Sequence, residues 1–468
     1  MSFIRSGLML VAMVFAMAVL PGFASKAQAA EYPDYMSFTA VDGDVTIGMK
    51  KWSTPDDYVL EYSKDRQDWS SVTLMDTNEN IVTIPDGETY YFRTDRVRDG
   101  IGKEDIDHGD GSYTPRYWNF TMTGAGKVEA GGNIMSLLDP TCEKTSMGQN
   151  AFQYLFYACD KLLTSPKLPS QTLADSCYRF MFDSCSSLTK APKLPAQNLA
   201  DECYWGMFGR CSSLTEAPEL PAQTLTSGCY CGMFSGCSSL GKAPKLSAQI
   251  LADECYRLMF DSCSSLTEAS ELPAQTLADN CYSDMFSGCS SLTKAPELPA
   301  QILADECYIG MFSGCSSLVE APKLPAATLA TSCYTFMFSG CSSLTEAPEL
   351  PVQTLTPGCY GGMFSGCRSL VRAPKLPAVT LASACYTWMF ADCSSLTEAP
   401  DLPAETLSYS CYFRMFSGCS SLKEAPPASG TDIDERMLSW YVFRMPEANG
   451  NLCRLYRGGS RFLNEGLS

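Results

Sequence analysis

The chain has one histidine, His108, among 468 residues. Imidazole chemistry therefore has one candidate, and zinc sites built on mixed Cys and His ligands have almost none. Positive charge is also scarce. Lys and Arg total 34 against 52 Asp and Glu, for a net charge of −18. That balance opposes nucleic acid and anionic membranes as partners. Beyond residue 30 no apolar run approaches the ~18 residues that a membrane span needs, so no membrane insertion is expected after export. There is no Gly-x-Ser-x-Gly nucleophile elbow and no glycine loop of the phosphate-cradling kind. Carboxylates abound, yet no feature selects a pair at hydrolase spacing. The expectation is a protein that is not an enzyme and has no cofactor.

The N-terminus reads as an export signal. Arg5 supplies a positive start, Leu8 to Leu20 is apolar but short, and Ala27-Gln28-Ala29 is a small-x-small cleavage site. Removing 1–29 takes away Arg5 and Lys26, two cations, and brings the net charge from −18 to −20. Secreted, cell-surface and periplasmic locations all remain open. Residues 30–128 read as a small β-sandwich-like domain. Runs of strand composition fall at 36–41, 45–50, 58–65, 70–75, 80–85, 89–95 and 117–124, with turn signals such as Asp42-Gly43 between them. Asp105, Asp107 and Asp110 could wrap a calcium ion, but their spacing misses the EF-hand pattern, so an acidic surface turn is the better reading. Residues 129–150 read as a linker and N-terminal cap.

What the chain has in abundance is one pattern. Cys-Tyr-x-x-Met-Phe-x-x-Cys recurs every 26 residues, from Cys177 to Cys411, preceded by a degenerate half-unit at Leu155-Phe156 and Cys159. A fixed period of this length marks a solenoid, whose units cannot bury their apolar sides alone. The array is expected over 151–426, with a degenerate C-terminal cap and tail at 427–468. On a helical wheel the repeating Cys, Tyr, Met, Phe and Leu fall within one arc of about 140°, which predicts an amphipathic helix. Pairs such as Asp201-Glu202 precede it and suit a helix N-terminus. Prolines such as Pro192 and Pro195 forbid helix in the other half, so a short strand pairing with its copies is expected there.

Two columns of that half alternate in charge. The series Lys190, Glu216, Lys242, Glu268, Lys294, Glu320, Glu346, Arg372, Glu398, Glu424 changes sign at seven of nine steps. Stacked strands bring such side chains into reach, so the alternation relieves repulsion and holds register. The cysteines lie eight apart within a unit, too far for a disulfide along a helix, and they read as small buried hydrophobes. Cys231, at a variable position, is the expected exception, a reactive thiol.

The two residues after each Cys-Tyr vary from unit to unit and face outward on the wheel. Phe180, Trp205, Arg257, Phe336, Trp388 and Phe413 are the candidate partner-binding residues, since exposed aromatics and Arg anchor interfaces. Met-Phe-Ser-Gly-Cys-Ser-Ser-Leu-Thr, at 285–293 and 337–345, resembles the BspA-type leucine-rich repeats of bacterial surface proteins. The resemblance implies an α/β solenoid of leucine-rich-repeat type, a short strand plus a helix per unit, after the small all-β domain. It also implies surface display and adhesion or protein binding, with a protein or glycan ligand. Two other readings stand beside it: a structural spacer without a ligand, and an enzyme or glycan-binding activity in the N-terminal β domain.

Overall fold

A computed structural model describes residues 32–53, 57–74, 79–108, 113–404 and 406–423. The expected leader at 1–29 and the C-terminal cap and tail at 427–468 lie outside them. The chain divides into Met1–Pro33 and Asp34–Ser468, and all the described strands belong to the second unit.

The N-terminal part of that unit is β-rich. Strands β1 (Met36–Val41), β2 (Val45–Trp52), β3 (Tyr58–Ser63), β4 (Ser70–Leu74), β5 (Glu79–Ile84) and β6 (Thr89–Thr94) follow the sequence pattern closely. Alternation sets the faces: Met36, Phe38 and Ala40 are buried and their neighbours are not. Two strands were missed at the sequence level, β7 (Lys103–Asp107) and β9 (Lys127–Gly131), and β8 runs longer than its apolar part, over Tyr113–Gly124. One sheet has the order β5-β2-β8-β7. The other runs β10-β9-β1-β6-β3-β4, and its edge strand β10 (Leu162–Thr164) belongs to the repeat region and pairs in parallel with β9.

The sandwich therefore flows into the array without a break in its core. Phe38 packs on Phe120 at 5.1 Å, Phe120 stacks on Phe156 at 5.4 Å, and Phe156 stacks on Phe182 at 5.2 Å. The backbone joins as well. Phe120 N–H donates to the Leu155 carbonyl and Ile101 N–H to that of Ala151. A stacked array must end somewhere, and here β8 and the loop before β7 take up the carbonyls that its first turns would leave bare.

The expected α-helix is corrected. Among the described residues there is no α-helix; the Cys-Tyr-x-x-Met-Phe-x-x-Cys segment is a run of turns. Every fourth residue is left-handed: Ser176, Phe180 and Ser184 have φ of 51°, 51° and 64°, and Glu254, Leu258 and Ser262 have 56°, 55° and 58°. Backbone donors then alternate. Cys177, Arg179, Met181, Asp183 and Cys185 N–H close turns onto carbonyls three residues back, while Ser176, Tyr178, Phe180, Phe182 and Ser184 N–H reach the carbonyls of Asp201, Cys203, Trp205, Met207 and Gly209 in the next unit. Successive turns of this kind aim N–H groups outward as a nest, and the neighbouring unit's carbonyls fill it. Half of the segment's donors thus serve stacking, which a helix would have spent internally. The acidic pairs do not cap a helix either. Asp201, Asp253, Asp279 and Asp305 each accept, through Oδ1, a backbone N–H of the following unit.

The other half of each unit pairs as expected, but by single parallel bridges: Lys242 with Glu268, Lys294 with Glu320, and Arg372 with Glu398. Lys242 Nζ lies 2.7 Å from Glu268 Oε2. Side-chain ladders fill the core between the halves. Tyr rings stack from Tyr178 to Tyr412 at 5.8–5.9 Å, and Phe rings from Phe182 to Phe416 at 5.6–5.8 Å. The cysteines among the described residues are free thiols. Each second cysteine donates its S–H to a Phe carbonyl of the preceding unit, as Cys263 does to Phe234 at 3.1 Å. Burial pushes these thiols far above the ordinary range, so they stay protonated donors.

Candidate functional site

Stacking consumes most of each unit. The Cys, Tyr, Met, Phe and Leu columns are buried throughout, and the paired half presents the charge ladders. The crest of the turns carries the residues second and third after the first Cys; the second is half-buried or, as at Cys231 and Ser283, buried, and the third reaches the surface at Phe336, Trp388 and Arg414. The third has φ between 51° and 59° in all ten units. A left-handed residue directs its side chain away from the turn, and there it lies over the same column of the next unit. The ring of Phe180 occupies the space that a β-carbon on Gly206 would need, and the ring of Phe336 does so at Gly362. Glycine in one unit thus makes room for a large side chain in the unit before it.

At the N-terminal end this face is sealed. Phe180 stacks on Tyr154 at 5.1 Å, Tyr154 on Tyr117 at 4.3 Å, and Tyr117 on Trp52 at 5.8 Å. Trp205 is tilted 6.4 Å from Phe180, and the Arg179 guanidinium sits 4.9 Å over its ring beside Glu202. Phe180 and Trp205 are half-buried, with faces spent on one another. Arg257 is half-buried too and pairs with Glu254 at 2.9 Å. Asp183 is buried beside Arg210, 2.7 Å away, and burial raises its carboxyl above the usual range.

At the C-terminal end the face is open. Phe336 is 37% exposed, Trp388 39% and Tyr409 68%. Trp388 leans on Phe413, 6.2 Å away, and Arg414 covers part of the Phe413 ring at 5.2 Å. Tyr409 was not among the sequence candidates. It stands two residues before the first Cys, a column that carries Asp in five other units, and that exchange was the available signal.

Cys231 is corrected. It is 1% exposed, and burial pushes its thiol up to about 12. The wheel placed its column outside; in the turn ladder Arg257 and Glu254 of the next unit lie close enough to act on it electrostatically. The calcium candidates fall outside what can be described: Asp110 is not among the described residues, nor are the side chains of Asp105 and Asp107. His108 bonds Thr114 through Nε2 at 2.7 Å. A cleft of about 390 Å³ beside β7 is lined by Arg96, Arg98, Lys103, Asp57 and Asp99. Arg98 is already committed there, to Thr94, Asp95 and the Asp57 carbonyl.

Comparison with known families agrees with the repeat. Residues 254–363 match the BspA type leucine rich repeat region, in six copies. No curated protein and no solved structure matches the chain.

Proposed function

We propose that this BspA-type repeat array is a surface or secreted binding protein that holds a macromolecule on the crest of its turns. One observation carries the reading: the crest is where the repeat leaves side chains free, and at its C-terminal end those side chains include the exposed Phe336 and Trp388. Aromatic anchors on a rigid scaffold lose little entropy on binding. BspA-type repeats are typical of surface proteins, and no helix among the described residues is long and apolar enough to cross a membrane. The export signal proposed at 1–29 fits that placement. The reading makes the chain a binder rather than an enzyme, with a protein or glycan partner and no nucleic acid.

The test is capture from host and microbial extracts by the immobilised intact chain, set against the Phe336→Ala/Trp388→Ala variant. Capture that the double substitution abolishes while the chain stays folded supports the reading. Equal capture by both chains would move the binding face away from Phe336 and Trp388, and none by either would leave a spacer. Turnover of a substrate by the intact chain would replace it with an enzyme.

A further inference from the structure

The crest changes character along the array. The turns at 175–185 and 253–263 as wholes carry Asp175, Arg179 and the buried Asp183, then Asp253, Glu254, Arg257 and Asp261. The turns at 331–341 and 357–367 have no charged residue, and those at 383–393 and 409–419 have one each, Asp392 and Arg414. A chain of net charge −18 thus keeps a stretch of four consecutive turns nearly uncharged, whereas the uncharged turn at 227–237 stands between charged neighbours. The same stretch holds the exposed Phe336, Trp388 and Tyr409.

The rest of that stretch is hydroxyl and glycine. Thr331, Ser332, Ser339 and Ser365 stand on it with at least part of their surface exposed, and Gly340, Gly358, Gly361, Gly362 and Gly366 add no side chain. From this we infer that the crest of the last four units binds a neutral, elongated polysaccharide. The inference rests on the binding reading above and names its ligand class.

Three features point to that class. A sugar ring has an apolar C–H face that lies against an aromatic ring and a rim of hydroxyls that pair with polar groups without charge. Charge is sparse here, Asp392 and Arg414 being the two charged residues of the four turns, so recognition on this stretch runs through rings and hydroxyls. The two platforms, Phe336 and Trp388, belong to units two steps apart, and the Tyr rings beneath them advance 5.9 Å per step. One ligand touching both must therefore be elongated along the array. The glycines leave its path between the platforms unobstructed. Phe180 and Trp205 are excluded, because they are half-buried among Tyr154, Arg179 and one another, whereas Trp388 stays exposed beside Phe413.

Affinity electrophoresis of the intact chain tests this, in gels containing hydroxyethylcellulose, laminarin, galactomannan or soluble starch, with polygalacturonate as the charged comparison. At least one neutral polymer is expected to retard the chain, and polygalacturonate is not. Phe336→Ala/Trp388→Ala should weaken retardation roughly tenfold or more, as loss of aromatic anchors does. Trp388→Tyr should keep most of it, and Phe180→Ala all of it. Tyr409→Asp changes a side chain too exposed to affect folding and should also weaken retardation. No retardation by any neutral polymer, or retardation that Phe336→Ala/Trp388→Ala and Tyr409→Asp leave intact, overturns the inference. If the same face instead captures a protein, the ligand class is wrong and the binding reading stands. If it captures neither, both fall.

Discussion

Replacing Gly340 by Ala separates the turn ladder from a helix by sign alone. Gly340 has φ of 73°, and a β-carbon built on it meets nothing closer than Gly314 Cα and N, at 3.5 Å. Space is therefore not at issue, and the backbone decides. An L-residue in the left-handed region costs about 1–2 kcal/mol. The stiffer unfolded chain returns about 0.4–1 kcal/mol. The expected result is a loss of up to about 1.6 kcal/mol, where the same change inside a helix would gain about 1 kcal/mol. Ser262 supplies the reverse experiment. It is exposed at φ 58°, in a column where Gly236, Gly288 and Gly314 take the same conformation. Ser262→Gly should stabilise by a few tenths of a kcal/mol up to about 1, since the relieved strain exceeds the entropy cost of glycine. Urea midpoints at unchanged slope give both numbers. Hydrogen exchange at the Gly340 N–H, which donates to the Ser365 carbonyl, should quicken in Gly314→Ala and Gly340→Ala alike. A rise in midpoint for Gly340→Ala would refute the turn ladder.

The core and its ladders give three further expected outcomes. Iodoacetamide added to native protein at mildly alkaline pH should label almost no repeat cysteine, while added in denaturant it should label all of them. Rapid native labelling of several repeat thiols would contradict their burial. Burial holds the stacked phenols and thiols well above their unfolded values. Both groups are neutral in the fold, so their contribution is complete below the unfolded pKa values and is lost as pH climbs through about 8.5 and then about 10. The melting temperature should therefore fall steadily above about pH 9, with tyrosinate absorbance appearing only on unfolding. A smooth phenol titration near pH 10 in a folded chain would count against the Tyr stack. Lys242→Glu places three carboxylates in consecutive rungs, Glu216, the new residue and Glu268. It should cost up to about 1 kcal/mol at low salt and much less at high salt, and a salt-independent cost would mean that the ladder acts through packing.

The buried set was legible before the backbone was. Cys177, Tyr178, Met181, Phe182 and Cys185 are all inside, as the wheel required, because a stripe at i, i+1, i+4, i+5 and i+8 suits both a helix and a turn that repeats every four residues. The two differ in what stands between the stripe positions. In a helix, glycine has no preferred place there. In the array glycine recurs at one residue before the first Cys and at the third and seventh after it, as at Gly358, Gly362 and Gly366, the positions where φ is positive. The last of these also suits a helix terminator before the second Cys, but the spacing of all three is the trace of the left-handed ladder. Hydrophobic periodicity reports which side chains share a face, and a period of 4.0 lies too near 3.6 for a stripe this short to separate them. β9 escaped for a different reason: Lys127–Gly131 alternates correctly, but its glycine-rich flanks made it read as a joint.

The crest was legible as a pair of free columns, but not which part of it is open, and the difference lies between units rather than within them. A side chain at the third position is covered or bare according to what stands in the third column of the unit behind it and the second column of the unit ahead. Phe180 meets Tyr154 behind it and Trp205 ahead, whereas Phe336 comes after Gly310 and lies over Gly362. Leaning of each crest residue over the next unit converts a column of unrelated letters into a surface with covered and uncovered rungs. The β-rich end extends that logic. Tyr117 continues the crest aromatics and Phe120 the core stack, so the sandwich closes both ladders at one end of the array. The rungs left open lie farther along, where Phe336 stands between Gly310 and Gly362 and Trp388 follows Gly362, and there both rings are exposed.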